Sequence, residues 1–307
     1  MTTAILMYHR VCTVGANSAC YFARGTAVQP ATFAAQIDHL SRRLRAVGLG
    51  EALSGAVDGP SFALTFDDGY RDVLDFVEPT CRPRGLPIAL FPVAGHSGQS
   101  PTALWFDRYY ALLHRARRRH GIAPSMLGLV AEESVPSIDA DLRWWVRGPL
   151  KQRLAALDST RLEEALDGLR STLASSGDDD LAAQLYLRED ELRWISREGA
   201  LVGGHGAIHQ RLDRMPAESA LVEMRRSAAL LDTLGVMGPR VFCYPDGGVP
   251  GGAAEMLSAT GFEFGITVEA GVWHQHGNRA RVPRFLVRES TTSAELDGIA
   301  DAVASME

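Results

Sequence analysis

Short apolar runs and amphipathic stretches alternate along most of this chain. The runs Ala4–Met7, Phe62–Phe66, Ile88–Val93, Leu201–Gly203, Val241–Tyr244 and Phe264–Val268 read as strands. Between them, Thr32–Val47, Arg71–Arg84, Pro216–Leu234 and Gly252–Ala259 carry helical spacing of apolar residues. Strand and helix in alternation predict an α/β fold with a parallel sheet. The pattern breaks from Leu104 to Leu187, where Trp105 to Tyr110, Arg115 to Arg119, Trp144-Trp145 and Leu150 to Leu173 suggest several helices and no strand.

Several strands end in residues that carry chemistry. The first of these is Leu64-Thr65-Phe66-Asp67-Asp68-Gly69-Tyr70, where two acids close a strand at a glycine turn. One carboxylate can ligate a metal while its neighbour takes a proton from water; the alternative is a capping Asp at a strand-to-helix turn. Further on, Gly203-Gly204-His205-Gly206-Ala207-Ile208-His209 spaces two imidazoles so that they can share one divalent ion. A helical His-Glu-x-x-His site fits poorly, because no Glu lies between these histidines and glycines flank the first. Two solvated loop histidines are the plain alternative. The third segment, Val241-Phe242-Cys243-Tyr244-Pro245-Asp246-Gly247, runs a strand into a turn that can aim a backbone N–H at a developing oxyanion.

In this order the three segments resemble the polysaccharide deacetylase family, also called the NodB homology domain or carbohydrate esterase family 4. Ile5 to Val11 resembles its first strand, Gln29 to Phe33 the start of its first helix and Leu192 to Gly248 its central block. Gly261 to Thr267 and Arg281 to Phe285 are similar to its last strands. The resemblance implies a distorted or incomplete (β/α) barrel of about seven parallel strands with the site at their C-terminal ends. The barrel would occupy residues 1–103 and 188–307, with 104–187 a helical insertion that is either a brace or a lid over the substrate.

The resemblance also implies roles. Asp68, His205 and His209 would hold one divalent cation, zinc first and Co, Ni, Mn or Fe otherwise. Asp67 would act as general base, and the backbone N–H of Tyr244 would face the oxyanion. The chain departs from the family at the general acid: Phe285-Leu286-Val287-Arg288 has no histidine, so His274 and His276 become candidates, with His9 and His96 behind them. The family's arginine before the third segment is also missing. Arg284 is then expected to contact substrate or to orient Asp67, and His9 to lie on the catalytic face and contact substrate. Trp105, Tyr109 and Tyr110 are candidates to stack on sugar rings, against a core role. Arg115 to Arg119 reads as a solvated face or a phosphate site.

The composition fits a globular enzyme: 307 residues, 46% hydrophobic, 22% charged and a net charge of −6. So acidic a chain is not expected to bind nucleic acid. There are 30 arginines but a single lysine, Lys151. No membrane span or secretory leader is visible, and Cys12, Cys20, Cys81 and Cys243 lack metal-knuckle spacing, so a cytoplasmic protein with free thiols is expected. The leading function is hydrolysis of an N-acetyl group from an amino-sugar substrate, a small soluble biosynthetic glycoside or sugar conjugate. Alternatives are a cell-surface polysaccharide or oligosaccharide deacetylase, an amide, ureide or formamide hydrolase, and a carbohydrate-binding pseudoenzyme; the last has no use for the spare base Asp67. The sequence gives no oligomeric state.

Overall fold

The computed structural model describes residues 2–15, 17–96, 102–118, 136–172 and 181–306. Its strands are β1 (Thr2–Tyr8), β2 (Arg10–Val11), β3 (Ala27–Val28), β4 (Arg45–Ala46), β5 (Ser61–Asp68), β6 (Ile88–Pro92), β7 (Leu201–Val202), β8 (Val241–Cys243), β9 (Phe264–Ile266), β10 (Trp273–His274) and β11 (Phe285–Leu286). The α-helices are α1 (Ala19–Arg24), α2 (Pro30–Leu40), α3 (Leu49–Ser54), α4 (Glu78–Cys81), α5 (Trp105–Arg118), α6 (Leu142–Arg147), α7 (Pro149–Leu154), α8 (Ser159–Thr172), α9 (Leu181–Leu185), α10 (Glu189–Arg197), α11 (Ala217–Leu234), α12 (Ala253–Ala259) and α13 (Ser293–Ala304).

Every residue of β1, β5 and β6 is buried, as expected of parallel strands covered on both faces. β1 pairs in parallel with β5 and β11, β5 with β6, and β6 with β7. The circuit continues through a bridge between Gly204 and Phe242, the parallel pair β8–β9, and a bridge between Ile266 and Val282 just before β11. Seven parallel strands thus follow one another around a distorted barrel whose regular pairing thins to single bridges at two points. Alternate residues face inward: Ile5, Ala63, Ala89, Phe91, Val241 and Ile266 form one apolar cluster, while Leu6, Leu64, Phe66 and Leu90 meet the surrounding helices in another.

Two expected helices differ from those observed. The stretch 32–47 is helical only as α2, which starts on Pro30 and ends at Leu40; Arg45–Ala46 then pairs with β5 as β4. Proline at the start suits a helix because its missing N–H had no partner there. In 71–84, a π turn (Val73–Val77), α4 and a 3-10 turn (Arg82–Arg84) replace one continuous helix. Pro79 and Pro83 remove the N–H groups a regular helix needs.

Helices α5 to α9 follow one another with no strand between them among the described residues. They share a cluster with α1 that includes Tyr21, Tyr70, Leu113, Trp145, Leu150 and Leu166. At its centre Asp107 of α5 is 1% exposed and accepts hydrogen bonds from the hydroxyls of Tyr21 (2.6 Å), Tyr70 (3.0 Å) and Tyr186. Tyr109 lies in this core with its hydroxyl on the carbonyl of Trp145, so it is a packing residue and not a sugar platform. The arginine run at 115–119 extends past the described residues. Among those described, no helix is long and apolar enough to cross a membrane.

Candidate active site

The inward parity of β5 carries Ala63 and Thr65 to Asp67, so this carboxylate enters the barrel rather than the turn. There it meets Arg284, which is fully buried. The guanidinium spans both Asp67 oxygens at 2.7 and 2.8 Å, and its other N–H groups go to the Thr267 carbonyl, Thr65 Oγ1 and Cys243 Sγ. All five donors are thereby used, leaving none for substrate. Arg284 orients Asp67 and is not a substrate contact. Burial opposes the charge on Asp67, but Arg284 outweighs it and holds the carboxyl below its ordinary range.

Asp68 departs from strand geometry with φ 71°, and Gly69 follows with φ 75°. The turn is forced closed against the neighbouring strand, because a Cβ on Gly69 would lie 2.9 Å from Pro92 Cα. It swings the Asp68 carboxylate toward the histidine loop, where Oδ1 lies 3.4 Å from His205 Nε2 and 3.2 Å from His209 Nε2. His209 also has positive φ, at 56°, a strained state for a residue other than glycine. The loop is held by Glu223 of α11, which accepts from the N–H groups of Ala207 and Ile208, and by Ala94 and Gly95, whose N–H groups donate to the carbonyls of Gly206 and Ala207. Glu223 escaped the sequence reading because one acid on an amphipathic helix resembles any solvated one.

The donor atoms of Asp68, His205 and His209 lie within 4.8 Å of one another, and all three residues are buried. His205 Nδ1 donates to the Cys243 carbonyl at 2.8 Å, which fixes the ring with Nε2 turned to Asp68. Asp68 Oδ1 and His209 Nδ1 are buried without a hydrogen-bond partner. Two imidazoles and one carboxylate fit a divalent ion and leave positions open, as in catalytic rather than structural zinc sites. A second grouping, Asp67, His205 and Cys243, fits less well. Arg284 already occupies Asp67, and burial pushes the Cys243 thiol well above its usual range, so it stays protonated.

A cavity of about 870 Å³ opens over these residues. His9, Trp105, Phe106, Tyr110 and Lys151 contribute to its wall, so α5 and α7 cover one side of the site. The ring of Phe106 packs edge-on against His209 at 5.5 Å. His9 Nδ1 is buried and has no partner. Burial lowers its pKa, although Asp68 and Asp67 pull the other way.

Three other expectations are corrected. His274 of β10 pairs with Thr2, at the end of β1 opposite Tyr8 and about 20 Å away by strand rise. His276 is exposed beside Gln275 at that same end, so neither histidine can serve as the acid. The N–H of Tyr244 donates to the Ile266 carbonyl at 3.1 Å in the β8–β9 pairing, so it is not free for an oxyanion. Pro245 has no N–H, so the next backbone N–H along this segment is that of Asp246, in a short 3-10 turn. His96 is packed against Tyr186 with centroids 4.2 Å apart and lies outside the cavity wall. Burial lowers its pKa to about 4.

Residues 162–265 match the family model described as polysaccharide deacetylase, so the resemblance read from the sequence holds on independent grounds. None of the curated proteins matches this sequence. Among solved structures, the Streptococcus pyogenes deacetylase PplD in complex with acetate is similar at TM-score 0.61 and 13% identity, over 98% of each chain. IcaB from Ammonifex degensii gives 0.59 and 18%, over 99% of this chain and 97% of that one. A de-N-acetylase from Aggregatibacter actinomycetemcomitans gives 0.60 and 13%, over 97% and 100%. At these identities the likeness is one of fold.

Proposed function

We propose that this chain, which carries the polysaccharide deacetylase segment, is a metal-dependent hydrolase that removes the N-acetyl group from an amino sugar. One observation carries the reading: Asp67, fixed by Arg284, stands beside the separate cluster of Asp68, His205 and His209 under one cavity. A binding protein has no need to keep a charged base next to a complete ligand set. Zinc suits two imidazoles and a carboxylate best. Bound there, the ion would supply Lewis acidity, making water more acidic and polarising the acyl carbonyl.

The protein's own groups do the rest. Asp67 accepts the proton of the attacking water, and Arg284 keeps it anionic and aimed. The N–H of Asp246 meets the charge that develops on the acyl oxygen. His9 is the one candidate histidine on the cavity wall, and we assign it the proton delivered to the departing amine. Helices α5 and α7 restrict the open side of the site, which favours a small glycoside or sugar conjugate over a long polymer.

The test is acetate release from N-acetylated sugars by zinc-loaded protein, with metal content measured in parallel. Asp68→Ala, His205→Ala and His209→Ala should each lose metal and activity. Asp67→Asn should keep metal and lose turnover by about 100-fold or more. If His205→Ala binds as much zinc as the parent, the ligand assignment is wrong.

A further inference from the structure

The wall of the same cavity also gathers positive charge. Arg24 ends α1, Arg147 ends α6, Lys151 lies on α7 and Arg288 follows β11, and all four line the cavity. Arg147 and Arg288 converge over Gly25, where a Cβ would meet Arg147 Nη2 at 2.5 Å and Arg288 Cδ at 3.4 Å. Gly25 has φ 82°, so backbone and side chains alike require glycine there. Arg147 donates to the Arg24 carbonyl, yet its Nε is buried without a partner. None of the four cations forms an ion pair among the described residues. Arg211, also on the wall, differs in being neutralised by Asp213 at 2.7 Å.

Two acids on the same wall face the group. Asp246 is the one nearest Lys151 in electrostatic effect, and Glu295 is engaged in capping α13 at Thr292. They leave a positive excess, and two of the four cations are lowered: Arg147 by burial, then Arg143, Arg24 and Arg288, and Lys151 by burial and Arg24 to about 8. An anion that joins like charges gathered this closely relieves their repulsion, most for Lys151, the more buried, and least for the exposed Arg288. The Lys151 ammonium rests over Trp105 at 5.3 Å and Phe106 at 5.6 Å, and Phe106 in turn touches His209. One aromatic ring therefore separates Lys151 from His209, about the span of one sugar ring.

We infer that Arg24, Arg147, Lys151 and Arg288 bind a phosphoryl group carried by the N-acetylated sugar, one ring away from the acetamide being cleaved. The inference rests on the deacetylase reading and names its substrate class: a sugar phosphate or a nucleotide-diphosphate sugar. Guanidinium forks match phosphate oxygens in pairs, and Lys151 adds a point charge.

The test is calorimetric binding of N-acetylglucosamine, its 1-phosphate and its uridine-diphosphate conjugate to zinc-loaded protein, with acetate release followed separately. A phosphorylated probe should bind at least about tenfold tighter than the neutral sugar, and this preference should collapse in Arg147→Gln and Arg288→Gln. Tighter binding of the conjugate than of the 1-phosphate would identify the nucleotide form, and the reverse order the simple phosphate. Equal affinity for neutral and phosphorylated sugars would overturn the inference, as would a preference that survives both substitutions. Lys151 gives a check on the unaltered chain, since it is the only lysine in the sequence. Its rate of amine acylation, read by peptide mass, should fall several-fold when the favoured phosphorylated probe is present, and an unchanged rate would count against the site. Acetate release from neutral sugars without a phosphate preference would sink this inference and leave the deacetylase reading intact. Tight phosphate binding with no acetate released from any sugar would sink the deacetylase reading and, with it, the substrate class, leaving only an anion site on these residues.

Discussion

Arg284 and Asp67 are 217 positions apart in sequence, yet they form the most constrained contact in the site. Removing the guanidinium would strand a buried carboxylate, a change that costs about 3–5 kcal/mol for a pair this deep. The working protonation state would suffer too. Arg284 lowers Asp67 against the opposing effect of burial, so without it the carboxyl titrates higher. Arg284→Met should therefore retain zinc, unfold more easily, and show the acidic limb of its kcat/KM profile shifted to higher pH. An unshifted limb would mean that Asp67 is not the base. Asp67, Asp68, His205 and His209 were legible in the sequence because the adjacent acids and the spaced histidines occur together and in order; each pair alone reads equally as a turn or a loop. The partner of Asp67 was only half legible: the missing arginine pointed to Arg284, but its exclusion from substrate depends on five hydrogen bonds that only folding reveals. Among the histidines offered as the acid, strand polarity separates His9 from His274. His9 follows the C-terminal end of β1, whereas β10 runs antiparallel to β1 and carries His274 to the far end.

At the scale of elements, the parallel strands were readable because their apolar runs are short and bounded by turns. The helices of 104–187 were readable from the absence of such runs. What stayed hidden was how tightly α5 is joined to the barrel. Asp107 looks like a solvent-facing acid among Arg108 and Trp105, but it gathers three tyrosine hydroxyls, one from Tyr70 immediately after the Asp68-Gly69 turn. Excising 105–186 would delete Asp107 and Tyr186 together, so these helices brace the site as well as covering it. Burial, the largest influence, raises the Asp107 carboxyl to about 6 although Tyr186 and Tyr21 work to lower it. Its folded pKa then exceeds its unfolded value of about 3.9, so between these limits the native state binds more protons and stability falls as pH rises. The loss is on the order of 2–3 kcal/mol across pH 4 to 6. Asp107→Asn cannot titrate and should flatten that part of the stability curve, as measured by urea unfolding at several pH values. A variant with the parental slope would assign the dependence elsewhere.

For the whole molecule, an ion held as proposed would compete with protons for the same place. In the metal-free protein burial disfavours a charged His209, but Asp68 outweighs it and raises the imidazole to about 9. The same contacts, with His205, hold Asp68 well below the carboxylate range against the effect of burial. The two contributions bound a pH window. The His209 contribution is complete below its unfolded pKa of about 6.5 and is lost as pH rises through about 9. The Asp68 contribution is present above about 3.9 and is lost as pH falls through its lower folded value. A divalent ion can use His209 only as the neutral imidazole, so binding must expel its proton. Zinc uptake near neutral pH should release about one proton, measurable as a buffer-dependent heat in two buffers of different ionisation enthalpy. Zinc should also raise Tm more at pH 8 than at pH 6, since the proton competes harder at the lower pH and the gain follows the metal's apparent affinity. His209→Ala should lose both the released proton and most of the gain in Tm. If zinc stabilises that variant as much as the parent, with the same proton count, the ion is held elsewhere and the Asp68, His205 and His209 cluster is not the metal centre.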